Sequence, residues 1–451
     1  MSTLELLDPR TGAVRGRSPD GGAHEVAAAV AEARTATGAW EGLTVRERAR
    51  RLLRLADRIE EQAALYVRLE QAGTGKPRQQ ALDEVGLAAD LFRFYAGAAR
   101  AETGPAAGAL IDGHESWVRW EPCGVVAAIV PWNYPLLMAA WRCAPALAAG
   151  NTVVLKPAES TPDSARRLAE DAAELLGPGV LNALTGGREC GRALVEAEVD
   201  AIAFTGSVVG GQDVSRRAGV RRVSLELGGN CPVLVFADAP GRTWEALADA
   251  VTYNAGQSCA GPSRVVTIGG DHTEAVERLA AALTARSAGP GFGPLNNPAQ
   301  AERYDRLVGK AEAGFRATGG VTVTESETGG FWRPACVLAD LPGDDPAIRE
   351  EVFAPVLTVQ HAADVDAALR LAASVPQALA ASVWTRDIDS GLRAARALRA
   401  GEVWVNCHLA QTAELPHGGR ADSGTGTDLS VLALAEYRRP KTVTVDLSLT
   451  R

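Results

Sequence analysis

Six short segments carry residue types that could do chemistry together. The first is Asn254-Ala-Gly-Gln257-Ser-Cys259. Glycine in a small polar turn lets backbone approach a substrate closely. A cysteine there can offer its thiol and its own backbone N–H to one carbonyl; alone, it is more often a small core filler. The second is Glu226-Leu-Gly-Gly-Asn230, where a carboxylate ends the apolar run Val223–Leu227. Such a group can act as general base on water, or be an ordinary strand-end charge. The third is Pro131-Trp132-Asn133-Tyr134-Pro135. Its side-chain amide can donate to a developing oxyanion, the alternative being a proline-bounded turn with packed aromatics. In Lys156-Pro-Ala-Glu159 a cation and an anion three apart can bracket a diol such as a ribose. Phe204-Thr205-Gly206-Ser207-Val-Val-Gly-Gly211 reads as strand, turn and helix, a phosphate cradle built from free N–H groups and the helix dipole. Its spacing is not G-x-G-x-x-G, so alone it is a weak signal. Last, Glu350-Glu351-Val-Phe353-Ala-Pro355 sets a carboxylate beside a ring that could hold a ribose and a planar group, or is simply a loop.

These segments need a frame, and hydrophobic periodicity supplies one. Ala23–Arg34, Val45–Glu70 and Asp83–Arg100 read as helices. Gly104–Gly113 breaks that layer, and Ser116–Trp120 suits a short strand. Val125–Val130, Asn151–Leu155 and Ala201–Phe204 are apolar runs expected as buried strands, with helices over Leu136–Ala149 and Thr161–Leu176 between them. Alternating strands and helices predict an α/β fold with a doubly wound parallel sheet. After Gly228-Gly229 a second α/β pattern begins. Its expected strands are Val233–Phe236, Arg264–Ile268, Val356–Gln360, Ala381–Trp384 and Glu402–Asn406, with a helix over Thr273–Arg286. Thr442–Leu447 reads as a strand with one polar face. The chemical segments fall at the ends of strands, where open α/β sheets collect ligands.

Composition narrows the class. A chain of 451 residues exceeds what one hydrophobic core usually serves. With 46% hydrophobic and 22% charged residues, a globular protein is expected. A net charge of −9 argues against nucleic acid or an anionic membrane as partner. No secretory signal and no long apolar span is apparent, so a cytoplasmic location is expected. The seven cysteines are odd in number and scattered, which suits neither a disulfide framework nor a metal site. Lys76, Lys156, Lys310 and Lys441 are the only lysines in an arginine-dominated chain. A lysine kept in such company can be one that arginine cannot replace.

In this order and at these separations, the six segments resemble the aldehyde dehydrogenase superfamily, from Asp8-Pro-Arg-Thr-Gly12 to Glu436-Tyr437 and Lys441. The resemblance implies that Cys259 is the nucleophile, Glu226 the base that activates water, and Asn133 an oxyanion donor beside the Cys259 N–H. It implies NAD as cofactor, held by Trp132, Lys156, Glu159, Thr205, Gly206, Ser207, Gly211, Leu227, Gly228, Glu351 and Phe353. Glu159 near a ribose 2′-hydroxyl would repel a 2′-phosphate, so NAD is favoured over NADP. Tyr134, Met138, Trp141, Tyr253 and His417 match positions lining the aldehyde tunnel. The implied organisation is an NAD-binding domain at 1–107 and 123–228 and a catalytic domain at 229–430. A small β oligomerisation element at 108–122 and 431–451 would join copies into a homodimer or homotetramer.

Some positions depart from the family pattern. Arg142 stands where lysine is usual, and Asp428 where glutamate is common. Leu371–Ser382 lacks the usual Asn-Asp-x-x-Tyr-Gly pattern, and the Ser287–Gly293 and Thr322–Gly330 loops are short. Leu415-Pro-His417-Gly-Gly with Asp428-Leu-Ser430 resembles the γ-aminobutyraldehyde branch. That resemblance implies an ω-aminoaldehyde, with a neutral aliphatic or aromatic aldehyde as the alternative. A CoA-acylating relative would usually lack the glutamate, a cysteine protease would need a histidine tied to Cys259, and a non-catalytic scaffold would have lost a reactive residue.

Overall fold

The computed structural model describes residues 2–101 and 108–450. Residues 104–107 of the Gly104–Gly113 break lie outside them. Two parallel sheets carry the fold. The first has five strands in the order Leu181–Ala183, Thr152–Lys156, Val125–Ile129, Ala201–Gly206, Arg222–Leu227, all parallel. Every residue of Val125–Ile129 and of Thr152–Lys156 is buried, which is why both read as unbroken apolar runs rather than alternating ones.

The second sheet has seven strands. Their order is Phe315–Thr318, Cys336–Ala339, Val356–Ala362, Pro262–Ile268, Cys231–Phe236, Ala380–Trp384, Glu402–Val405, and only the first runs antiparallel. A separate ribbon pairs Arg438–Asp446 with His114–Pro122. An N-terminal hairpin, Thr3–Leu7 with Val14–Pro19, has no counterpart in the sequence expectations.

The expected helix over 45–70 is two helices, Val45–Glu61 and Ala63–Thr74, interrupted at Gln62. The helix Pro135–Ala148 is buried nearly all round, as a helix that is apolar on every face must be. Pro135 opens it at a position where the missing N–H costs nothing. The chain then does something its linear pattern conceals. After the last strand of the second sheet it returns to the first. Glu226 bridges Gly424, the Leu227 N–H donates to Ser423 O, and the Gly426 N–H donates to Leu225 O. Ala413, Leu429, Ala433, Leu434 and Tyr437 join the core under the first sheet.

Candidate active site

Between the carboxyl edge of the first sheet and the amino edge of the second opens a cavity of about 490 Å³. Cys259, Asn133 and Glu226 all line it, although 126 residues separate the first pair and 93 the second in sequence (259 − 133 and 226 − 133).

The thiol is presented by a fixed loop. A short 3-10 turn, Tyr253–Gly256, bends sharply because Asn254 and Ala255 hold left-handed φ of 49° and 54°. The Gln257 side chain locks it, donating to Asn254 O at 3.0 Å and accepting from the Asn296 N–H at 2.9 Å. Cys259 is half-buried. Burial and the nearby carboxyl of Glu351 push its pKa up, and only the Ala260 N–H favours the thiolate. Its surroundings thus favour the thiol over the thiolate.

Asn133 sits at the carboxyl end of the Val125–Ile129 strand, just ahead of the buried helix. Its Nδ2 donates to Gln257 O at 2.9 Å, which orients the amide and leaves one N–H. Its Oδ1 is buried without a partner.

Glu226 ends the edge strand of the first sheet and is buried. Neither carboxyl oxygen accepts a hydrogen bond of good geometry. Burial and then Asp428 raise its pKa well above the ordinary value, while Arg142 and the Gly419 N–H pull the other way. Arg142, fully buried, pairs with Asp428 at 2.8 Å and also reaches Thr205 Oγ1, Ser224 Oγ and Phe204 O. A buried carboxyl whose pKa is raised above the ordinary range and which faces a cavity is placed to act as a general base.

The cofactor residues predicted from sequence divide into three groups. Thr205, Gly206, Ser207, Leu227, Gly228, Glu351, Phe353 and Trp132 line the cavity. The helix Val208–Ala218 points its N-terminus there, with the Ser207 hydroxyl accepting from the Gly210 N–H at 3.1 Å. The Thr205 hydroxyl is committed to Arg142. Gly228 must lack a side chain, because a Cβ there would lie 2.2 Å from the Glu351 carboxyl. Glu351 accepts from the Gly229 N–H at 3.1 Å, and burial lifts its pKa to about 8. Phe353 meets Trp132 edge to face at 5.5 Å. Lys156 and Glu159 form the second group, outside that cavity at the end of the neighbouring strand. The Lys156 ammonium donates to Pro157 O at 3.0 Å, and burial lowers its pKa against the opposing pull of Glu159. Gly211 stands alone: a Cβ there would lie 2.4 Å from Leu227, so its small size serves helix-on-strand packing.

Of the five tunnel residues expected, Met138, Trp141 and His417 line the cavity together with Asp428. His417 packs edge-on against Trp141 at 5.1 Å and pairs with Glu402 at 2.8 Å. Tyr134 and Tyr253 do not line it. They lie behind Asn133, with the Lys76 ammonium 4.7 Å over the Tyr134 ring. A tyrosine followed by proline gives no sign of which side of the loop its ring takes.

Several residues carried no sequence signal. Arg303 donates to Glu351 O at 2.9 Å, and Gln300 donates to Val352 O at 3.0 Å, so both shape the loop that bears Glu351 and Phe353. Arg264, noted only as a strand residue, is buried on three carbonyls, Asn230 O, Leu371 O and Ala372 O. A histidine does approach the nucleophile loop: His408 Nε2 donates to Ala260 O at 2.8 Å while Nδ1 meets Ser382 Oγ at 2.9 Å. Burial drops its pKa to about 4, and both nitrogens are occupied, so it braces the loop and is no base for Cys259.

Comparisons with known proteins agree with this geometry. Residues 1–443 match the aldehyde dehydrogenase family model. Phenylacetaldehyde dehydrogenase of Pseudomonas fluorescens is 37% identical over 98% of this chain and 92% of its own length. Betaine aldehyde dehydrogenase of Bacillus subtilis is 35% identical over 94% and 90%. A crystal structure of P. syringae indole-3-acetaldehyde dehydrogenase with NAD+ is 32% identical, with TM-score 0.94, over 99% of this chain and 93% of that one. A family match over residues 1–443, relatives above 30% identity and the convergence of thiol, amide and carboxyl on one cavity lead to a single assignment: the chain belongs to the aldehyde dehydrogenase family.

Proposed function

We propose that this enzyme oxidises an aldehyde to its carboxylate with NAD, through a thioester on Cys259 that water releases. The observation that carries the reading is the meeting of Cys259, Asn133 and Glu226 on one cavity wall. The Cys259 thiol releases its proton to water in the cavity as its sulfur bonds to the aldehyde carbon, and the Asn133 amide and the Cys259 N–H stabilise the resulting oxyanion. Donors of this kind are worth about a hundredfold or more in rate. Glu226 then accepts a proton from the water that attacks the thioester.

A nicotinamide dinucleotide fits the residues present: a helix N-terminus faces the cavity, and Gly228 leaves room for the Glu351 carboxyl. When bound, that cofactor supplies the hydride acceptor. Glu351 and Phe353 would hold its ribose and ring, Ser207 and its neighbours the pyrophosphate, and Lys156 with Glu159 the other ribose. The Glu159 carboxylate, exposed beside Lys156, favours NAD over the 2′-phosphorylated form. A reducing cytoplasm is the setting in which a free Cys259 thiol stays usable. The Arg438–Asp446 and His114–Pro122 ribbon is the element through which copies would join as a dimer or tetramer.

For substrate, an ω-aminoaldehyde is the leading reading. Asp428 lines the cavity near Trp141 and has one carboxyl oxygen without a partner, so an ammonium group would find an acceptor beside an aromatic ring. A neutral aromatic aldehyde is the second reading, since Tyr134 and Tyr253 are absent from the cavity lining and two relatives are named for phenylacetaldehyde and indole-3-acetaldehyde. Steady-state kinetics with NAD on 4-aminobutanal, hexanal and benzaldehyde separate them. A higher kcat/KM for 4-aminobutanal supports the first, and equal or better values for the neutral aldehydes remove it. In the same assay Glu226→Gln should form about one NADH per active site and then stall, because the thioester forms but is not hydrolysed. Sustained turnover by that variant would remove Glu226 as the base.

A further inference from the structure

Behind Asn133, away from the cavity, lies a cluster that the proposed chemistry does not use. Glu70, Lys76 and Glu84 are 1%, 2% and 2% exposed, and no other buried site in the described residues sets two glutamates against one lysine. The Lys76 ammonium donates to the Glu84 carboxylate and, at 3.0 Å, to the backbone carbonyl of Asn133. Its third neighbour is the Tyr134 ring at 4.7 Å. Glu70 lies next to Glu84 with neither oxygen in a hydrogen bond of good geometry, and burial raises its pKa well above the ordinary value.

A buried charge is costly unless paired, and packed hydrocarbon of similar volume is often as stable. Stability alone therefore gives weak reason for this triad. Its position gives a better one. The Asn133 carbonyl receives two donors, Lys76 Nζ and, at 2.9 Å, Asn254 Nδ2. Asn254 Nδ2 also reaches Gln257 O at 3.2 Å, the carbonyl to which the Asn133 amide donates. Lys76 and Asn254 thus fix the peptide plane just after Asn133 and tie it to the loop that carries Cys259. Arginine would not serve. Its planar fork is too wide for a point donor between a carboxylate, a carbonyl and a ring, which accounts for a lysine surviving here.

We propose that Lys76, balanced by Glu84 and Glu70, is a positioning residue for the oxyanion site: it clamps the Asn133 carbonyl so that the Asn133 amide points at the reacting carbonyl oxygen. This rests on the oxyanion role of Asn133. The test is a double-mutant cycle on the full enzyme. Lys76→Met should lower kcat by about tenfold to a hundredfold, the usual cost of a small misplacement. KM for NAD should stay the same. On the residual rate of an Asn133→Ala background, the same substitution should change kcat less than about twofold, since the amide it positions is gone. Equal factors in both backgrounds would overturn the proposal, because a general loosening of the fold multiplies. Should Lys76→Met alone fail to fold, Lys76→Met with Glu84→Gln removes the unpaired carboxylate and takes its place in the cycle. Full kcat in that folded double variant would also overturn it. Normal turnover in Asn133→Ala by itself is the separate result that removes the oxyanion assignment, and this inference with it.

Discussion

Two arginines, Arg142 and Arg264, are buried completely, and the contrast between them separates chemistry from scaffold. Arg142 has a carboxylate partner, Asp428 at 2.8 Å, and its charge is felt by Glu226. Arg264 has no carboxylate; three neutral carbonyls take its donors, two of them at the end of the Val365–Ala372 helix, where the dipole is negative. Burial accordingly lowers the Arg264 pKa to about 10, while Asp428 helps hold the Arg142 charge firmly in place. One arginine belongs to a set of coupled titrating groups. The other replaces backbone hydrogen bonds that the loop 228–230 and a helix terminus would otherwise lack.

Substitutions should keep these roles apart. Arg142→Met has the largest expected effect. It leaves Asp428 buried and unpaired, which typically costs about 3–5 kcal/mol, read as a fall in the thermal midpoint. It also removes a positive charge that favours the Glu226 carboxylate. The base works only when deprotonated, so the rising limb of the kcat–pH profile should move to higher pH. Arg264→Met should cost about 1–3 kcal/mol by stranding carbonyls, and should leave that limb where it is. A displaced limb in the Arg264 variant would erase the contrast. Asp428→Asn has the mildest expected effect on turnover, with an opposite sign in pH. Asp428 is the largest charge raising the Glu226 pKa, after burial itself. Without it the Glu226 pKa falls and the limb moves to lower pH. A shift upward, or none, would mean that Asp428 and Glu226 are not electrostatically linked.

The sequence made some of this legible and hid the rest for identifiable reasons. Cys259, Glu226 and Asn133 stand at strand ends or in glycine turns, and such places announce themselves locally through apolar runs that stop at small or polar residues. The central strands Val125–Ile129 and Thr152–Lys156 were equally plain. The short strand Leu181–Ala183 was not, because three residues carry no period, and the break at Gln62 hides inside a continuous amphipathic pattern. His408, Gln300 and Arg303 act through backbone carbonyls far away in sequence, a contact that any polar side chain can make. Tyr134 was expected in the tunnel because it matches a family position there; the cavity lining includes Asn133 and omits Tyr134, whose ring lies under the Lys76 ammonium.

The return of the chain to the first sheet has a consequence for biosynthesis. Arg142 and Asp428 are 286 residues apart. At ribosomal speeds of about 5–20 residues per second, Arg142 waits roughly 15–60 s for its counterion to be made. During that interval the edge strand bearing Glu226 has no Gly424 to bridge, and the core beneath lacks Leu429, Leu434 and Tyr437. The nucleophile is translated well before the segment that completes the pocket wall around it. A nascent chain stalled in this window holds the cysteine without the wall that Asp428 and His417 complete, so the assembled site awaits translation of that segment.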